Sequence, residues 1–157
     1  MTREMVGAAL LLLAATAACA GKDDVTFTAR LPSAELELVD GTLGAELGGS
    51  IELSLKLGEY ADQATTVTLE KFSVLGADEA TEIIPSLGVT SGDFPLALAP
   101  GAQRTVELSI EQSALLTETQ VTALCAGHVH VAGAVRDTLT GAVTAVVSPE
   151  VAPTGCP

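Results

Sequence analysis

Aromatic residues make up only 3% of the 157-residue chain, with no tryptophan, one tyrosine (Tyr60) and three phenylalanines. Carbohydrate platforms and aromatic cages both need flat π faces, so neither is expected. Cations are scarce too: seven Lys and Arg stand against 20 Asp and Glu, for a formal charge of −13. A nucleic-acid partner requires a basic footprint, and this composition excludes one. The only histidines are His128 and His130. A Ser-His-Asp or Cys-His catalyst needs a histidine oriented by a third group. Asp137 is close in sequence but falls at a hairpin loop, and no nucleophile-elbow glycine pattern surrounds any serine. The chain is therefore expected to be no enzyme and to need no cofactor. Asp78, Glu79 and Glu82 cluster without EF-hand-like spacing, which reads as a solvated acidic face. In place of these groups, 48% of the residues are hydrophobic. That is too apolar for disorder and enough for one domain, though not for two independent cores.

The longest apolar run is at the start. Met5–Leu13 is continuously apolar, small residues follow at Ala14, Ala15, Thr16, Ala17 and Ala18, and then comes Cys19. The run is about fifteen residues, short of the ~20 that span a bilayer as a helix. It reads as an export segment to be set aside from the fold. Thr16-Ala17-Ala18-Cys19 resembles the lipobox of bacterial lipoproteins, although that family usually has Leu where this chain has Thr16. The resemblance implies cleavage before Cys19, acyl chains on Cys19, and attachment to a membrane through that lipid. Ala20 follows the cysteine, with no Asp there. By the sorting habit of enterobacterial members this implies the outer membrane, on its periplasmic or surface face. Residues 1–18 are then the signal peptide and residues 19–24 a lipidated tether.

Three cysteines, Cys19, Cys125 and Cys156, leave one thiol over in an exported chain. If Cys19 is lipidated, as the resemblance implies, Cys125 and Cys156 remain as a pair for an oxidising compartment. Two free, inert thiols are the alternative. A bridge would close a loop of about 30 residues and stabilise the fold by about 3–4 kcal/mol in the chain-entropy model.

Residues 25–157 alternate with period two, the mark of half-buried strands. Ile51, Leu53, Leu55 and Leu57 alternate with Glu52, Ser54 and Lys56, and Val67 and Leu69 with Thr66, Thr68 and Glu70. The phase then slips to Phe72 and Val74, which predicts a β-bulge at Glu70-Lys71. Leu96 and Leu98, a turn at Pro100-Gly101, and Val106, Leu108 and Ile110 follow. That stretch is similar to a segment of bacterial immunoglobulin-like and fibronectin-III-like domains. Ser113–Thr119 is the one stretch expected to make a helical turn. Val121, Ala123, Cys125, Gly127, Val129 and Val131 read as one face of a long strand, and Val143, Ala145 and Val147 as the apolar face of the last. A three-residue loop, Thr138–Thr140, is expected between those two strands. The fold class is all-β: an immunoglobulin-like antiparallel β-sandwich of about seven to nine strands over residues 25–157.

His128 and His130 stand two apart, so both rings are expected to leave one strand face, roughly 7 Å apart at Cα. Gly127-His128-Val129-His130 resembles the copper-ligand strand of copper–zinc superoxide dismutases. That family needs further histidines, which this chain lacks. Two imidazoles with a carboxylate would suit Cu(II) or Zn(II); the alternative is two polar residues facing solvent. The sequence therefore points to an exported, lipid-anchored envelope protein with a binding, adhesion or structural role. Sandwich edges and end loops would supply its contact surface for a protein partner. Periplasmic metal binding through His128 and His130 is the alternative.

Overall fold

A computed structural model of the chain describes residues 26–111 and 114–157. The expected signal segment 1–18, the expected tether 19–24 and Cys19 lie outside the described residues. The elements, in chain order, are β1 (Phe27–Gly41), β2 (Gly44–Leu57), β3 (Thr65–Gly76), β4 (Glu82–Ile84), β5 (Val89–Thr90), β6 (Leu96–Leu98), β7 (Gln103–Glu111), α1 (Glu118–Cys125), β8 (Val129–Asp137) and β9 (Val143–Val147). One sheet has the order β1-β2-β7-β5 and the other β4-β3-β8-β9, with β6 also on β3. Lettered as immunoglobulin strands, these are A-B-E-D over C′-C-F-G. The ladders between strands are antiparallel, and the chain is the all-β sandwich that its alternation predicts.

The core follows from the period of two. Ile51, Leu53, Leu55 and Leu57 on β2 face Val67, Val74, Val131 and Val135 across the sandwich, and all are fully buried. Each such side chain contributes about 1.5–3 kcal/mol of burial, so β2 alone is a major share of the driving force. β1 and β2 form a long hairpin that approaches closely at Gly49 (φ +134°), where a Cβ would collide with the Glu35 carbonyl. The bulge expected at Glu70-Lys71 is present: Leu69 pairs with Val135 and Phe72 with Gly133, two residues sharing one partner position. It restores the inward phase, and the Phe72 ring lies against Gly133 where a side chain would stand. The two bulge residues find outside partners. Glu70 accepts from Arg136 at 2.7 Å, and Lys71 donates to Glu82 at 3.3 Å.

Three local expectations need correction. The stretch 121–127 is not strand; its first five residues belong to α1, which starts later than the predicted turn. Thr117 caps the helix: its hydroxyl accepts from the Gln120 backbone, and the Gln120 side chain accepts from the Thr117 backbone. This reciprocal box satisfies two donors and outweighs the alternation of small apolar residues. Gln120 also donates to the Ile83 carbonyl at 3.2 Å, fixing the helix to β4, and Leu124 enters the core. The β8–β9 connection is one residue longer than expected, since Arg136 pairs with Val143 and Ala132 with Val147. Asp137 sets that loop by accepting from the Thr140 amide at 2.8 Å and hydroxyl at 2.7 Å. The added residue turns β9 over. Val146 is buried at 4%, whereas Val143 and Val147 are 49% and 44% exposed.

Candidate binding surface

Each candidate residue sits where the two sheets place it. Cys125 ends α1 and Cys156 follows the last strand, and the two are joined as a disulfide with Cα atoms 5.7 Å apart. The tail reaches this position by adding to β1: Leu38 donates to the Thr154 carbonyl and Thr154 to the Leu36 carbonyl, both at 2.9 Å. The bridge therefore links α1, through the tail, to the edge of the other sheet.

The histidines are not equivalent. His128 precedes β8 and is exposed, while His130 is only 6% exposed. His130 lies on the outer side of its sheet but is covered there, so the expected pair of rings on one strand face is not formed, and only His128 faces solvent. Its Nδ1 sits 3.0 Å from the Ser148 carbonyl. A carbonyl can only accept, so Nδ1 carries the proton and Nε2 is left toward Glu79 Oε1 at 3.8 Å. The structure thus brings His130 together with Glu79, a residue held at φ 55°, and not with His128. Among the described residues no three His, Cys, Asp or Glu side chains converge as a metal site.

The acidic cluster is also divided. Glu82 pairs with Lys71, Glu79 faces His130, and Asp78 turns inward on its own loop. The Asp78 carboxylate accepts from the Thr81 amide, the Thr81 hydroxyl and the Ala80 amide at 2.9, 2.7 and 3.0 Å. Led by the Thr81 backbone bond, these hold its pKa down at about 2.

Sequence reading missed the surface with the most open chemistry, the outer face and far edge of the β1-β2-β7-β5 sheet. Glu52 and Glu107 stand directly opposite one another on β2 and β7. Ser33 donates to Glu52 at 3.0 Å. Among the described residues β5 and Gly88 before it cover only residues 109–111 of β7, and the chain then crosses to β3 as β6. The alternation of Val106, Leu108 and Ile110 identifies the strand, but a sequence cannot show that its neighbour is two residues long.

The described helix is too short and too polar to cross a membrane. Comparison of the chain with models of known families, with curated proteins and with solved structures finds no match.

Proposed function

We propose that this chain is an exported, lipid-anchored envelope protein whose sandwich binds another envelope component without catalysis. The observation that carries the reading is the pairing of Cys125 with Cys156. It accounts for two of three cysteines and leaves Cys19, within Thr16-Ala17-Ala18-Cys19, as the residue for acylation. A disulfide also fits an oxidising compartment. The immunoglobulin-like order of the sheets supports a binding or structural role through edges and loops, with the acyl chains holding the domain at the membrane.

The test is to express the full chain and its Cys19→Ala variant in a bacterial host. Each is fractionated, and the mass of the mature amino-terminal peptide is measured. The expected result is a chain beginning at acylated Cys19 in the membrane fraction, with the variant released or uncleaved. An unmodified Cys19, or a mature chain beginning elsewhere, overturns the anchor.

A second reading, periplasmic copper or zinc binding, is favoured by the His130 tautomer. Metal-bound histidines commonly donate their second ring N–H to a carbonyl, as Nδ1 does here, with Nε2 left toward a carboxylate. Zn(II) and Cu(II) titration of the wild type beside His130→Gln and Glu79→Gln variants decides it. Sub-micromolar binding weakened in both variants supports metal handling, and binding unchanged in both overturns it.

A further inference from the structure

The free edges of this sandwich are not alike. The β1 edge is interrupted by a register shift between Arg30 and Ser33, contains Pro32, and is occupied further on by Thr154. The β3 edge carries β6 at one end and β4 at the other, with the Glu70-Lys71 bulge between them. β9 runs into Pro149. Bulges, prolines and covering segments are the usual protection against strand pairing. β7 has none of these along residues 103–108, where its register with β2 is unbroken.

The backbone direction along that edge is fixed by two bonds. Glu111 donates to the Gly88 carbonyl on the β5 side, and the Ala102 carbonyl accepts from Leu57 on the β2 side. Backbone groups alternate sides along a strand, so those of Gln103, Thr105 and Glu107 point to the open edge. No strand lies there among the described residues. The side chains of the same three residues are exposed on the outer face. The edge is about five residues long, the usual length of a strand.

We propose that this β7 edge accepts an extended segment of a partner protein. The segment pairs antiparallel in line with β5 and carries Lys or Arg opposite Glu107. The charge on the face selects the partner. Glu107 stands opposite Glu52, a like-charged cross-strand pair, and among the described residues Glu52 takes only a serine hydroxyl. By contrast, Glu70 and Glu82 each face a cation. A fifth strand with a cation beside Glu107 relieves that repulsion and completes the ladder at once. A second copy of this chain is disfavoured, because it brings the same −13 charge. The inference rests on the sandwich being a binding module. It does not depend on Cys19, so the acylation test and the test below fail separately.

The test uses the full chain in detergent and a capped seven-residue peptide alternating Thr and Val with a central Lys, beside the same peptide with a central Glu. The expected result has two parts. The Lys peptide slows amide exchange at Thr105 and Glu107. The Glu107→Lys variant, whose altered side chain faces solvent, binds it about fivefold more weakly and now prefers the Glu peptide. Three results overturn the proposal. They are no protection by either peptide up to about 1 mM, protection at β9 instead, and a preference that Glu107→Lys leaves unchanged. A dimer of the chain alone with protected β7 amides assigns the edge to a second copy and overturns the partner.

Discussion

Asp78 and the Cys125–Cys156 pair show how far single residues control this fold. With no bridge to a cation among the described residues, Asp78 is held down at about 2 by hydrogen bonds from its own turn, led by the Thr81 backbone. The unfolded value is the ordinary 3.8, so the folded carboxyl keeps its charge to lower pH. The stability it contributes is present above the unfolded value and is lost as pH falls from about 4 through about 2. Asp78→Asn is expected to remove that part of the acid slope, read as the urea midpoint at pH 5, 3 and 2. A carboxyl resonance titrating near 4 contradicts the hydrogen-bond account. The disulfide acts on the unfolded chain instead. With its ends separated by 31 positions in sequence, its loss in Cys125→Ala, Cys156→Ala is expected to cost about 3–4 kcal/mol in urea unfolding. Reductant should destabilise the wild type by a similar amount and leave the variant unchanged.

Elements were legible in proportion to how strongly one periodicity dominated them. From Ile51 to Leu57, β2 shows isoleucine or leucine at every second position, and every one of those side chains is buried, as the pattern requires. The bulge in β3 was equally readable, because a phase slip between Leu69 and Phe72 has no other way to keep both inside. β9 was not, since Val146 and Val147 offer an apolar residue to either face and loop length decides between them. α1 was misread for a different reason. It buries only Leu124, so its weak amphipathic pattern lost to the alternation of Val121, Ala123 and Cys125. Its readable signal was Thr117 followed three residues later by Gln120. Thr117→Ala is therefore expected to cost about 1 kcal/mol, read from the urea midpoint. Gln120→Ala is expected to cost more than the cap alone, because it also leaves the Ile83 carbonyl without its donor. Equal losses in the two variants would show that the tie to β4 contributes nothing.

The whole molecule is a sandwich under its own repulsive field. The two-layer arrangement follows from apolar positions, which were visible in the sequence, whereas the order of strands within each sheet was not. The unfilled β7 edge was invisible, because it depends on where the chain leaves one sheet for the other between β5 and β6. Charge falls on the outside by the same alternation, and only Lys71 and Arg136 lie in Lys or Arg bridges to carboxylates among the described residues. A net −13 on a chain this small disfavours the compact state through self-repulsion. Sodium chloride shortens the screening length from about 30 Å at 0.01 M to about 8 Å at 0.15 M. Urea midpoints are therefore expected to rise over that range with the slope unchanged, since screening alters repulsion and not the surface exposed on unfolding. Urea is the suitable denaturant because guanidinium is itself a salt. Glu107→Lys should rise less than wild type, as it removes one like-charged pair and two units of net charge. A midpoint indifferent to salt would mean that the outer carboxylates are too well hydrated to repel one another. In that case the attraction of the β7 edge for a cationic strand would have to come from backbone pairing alone.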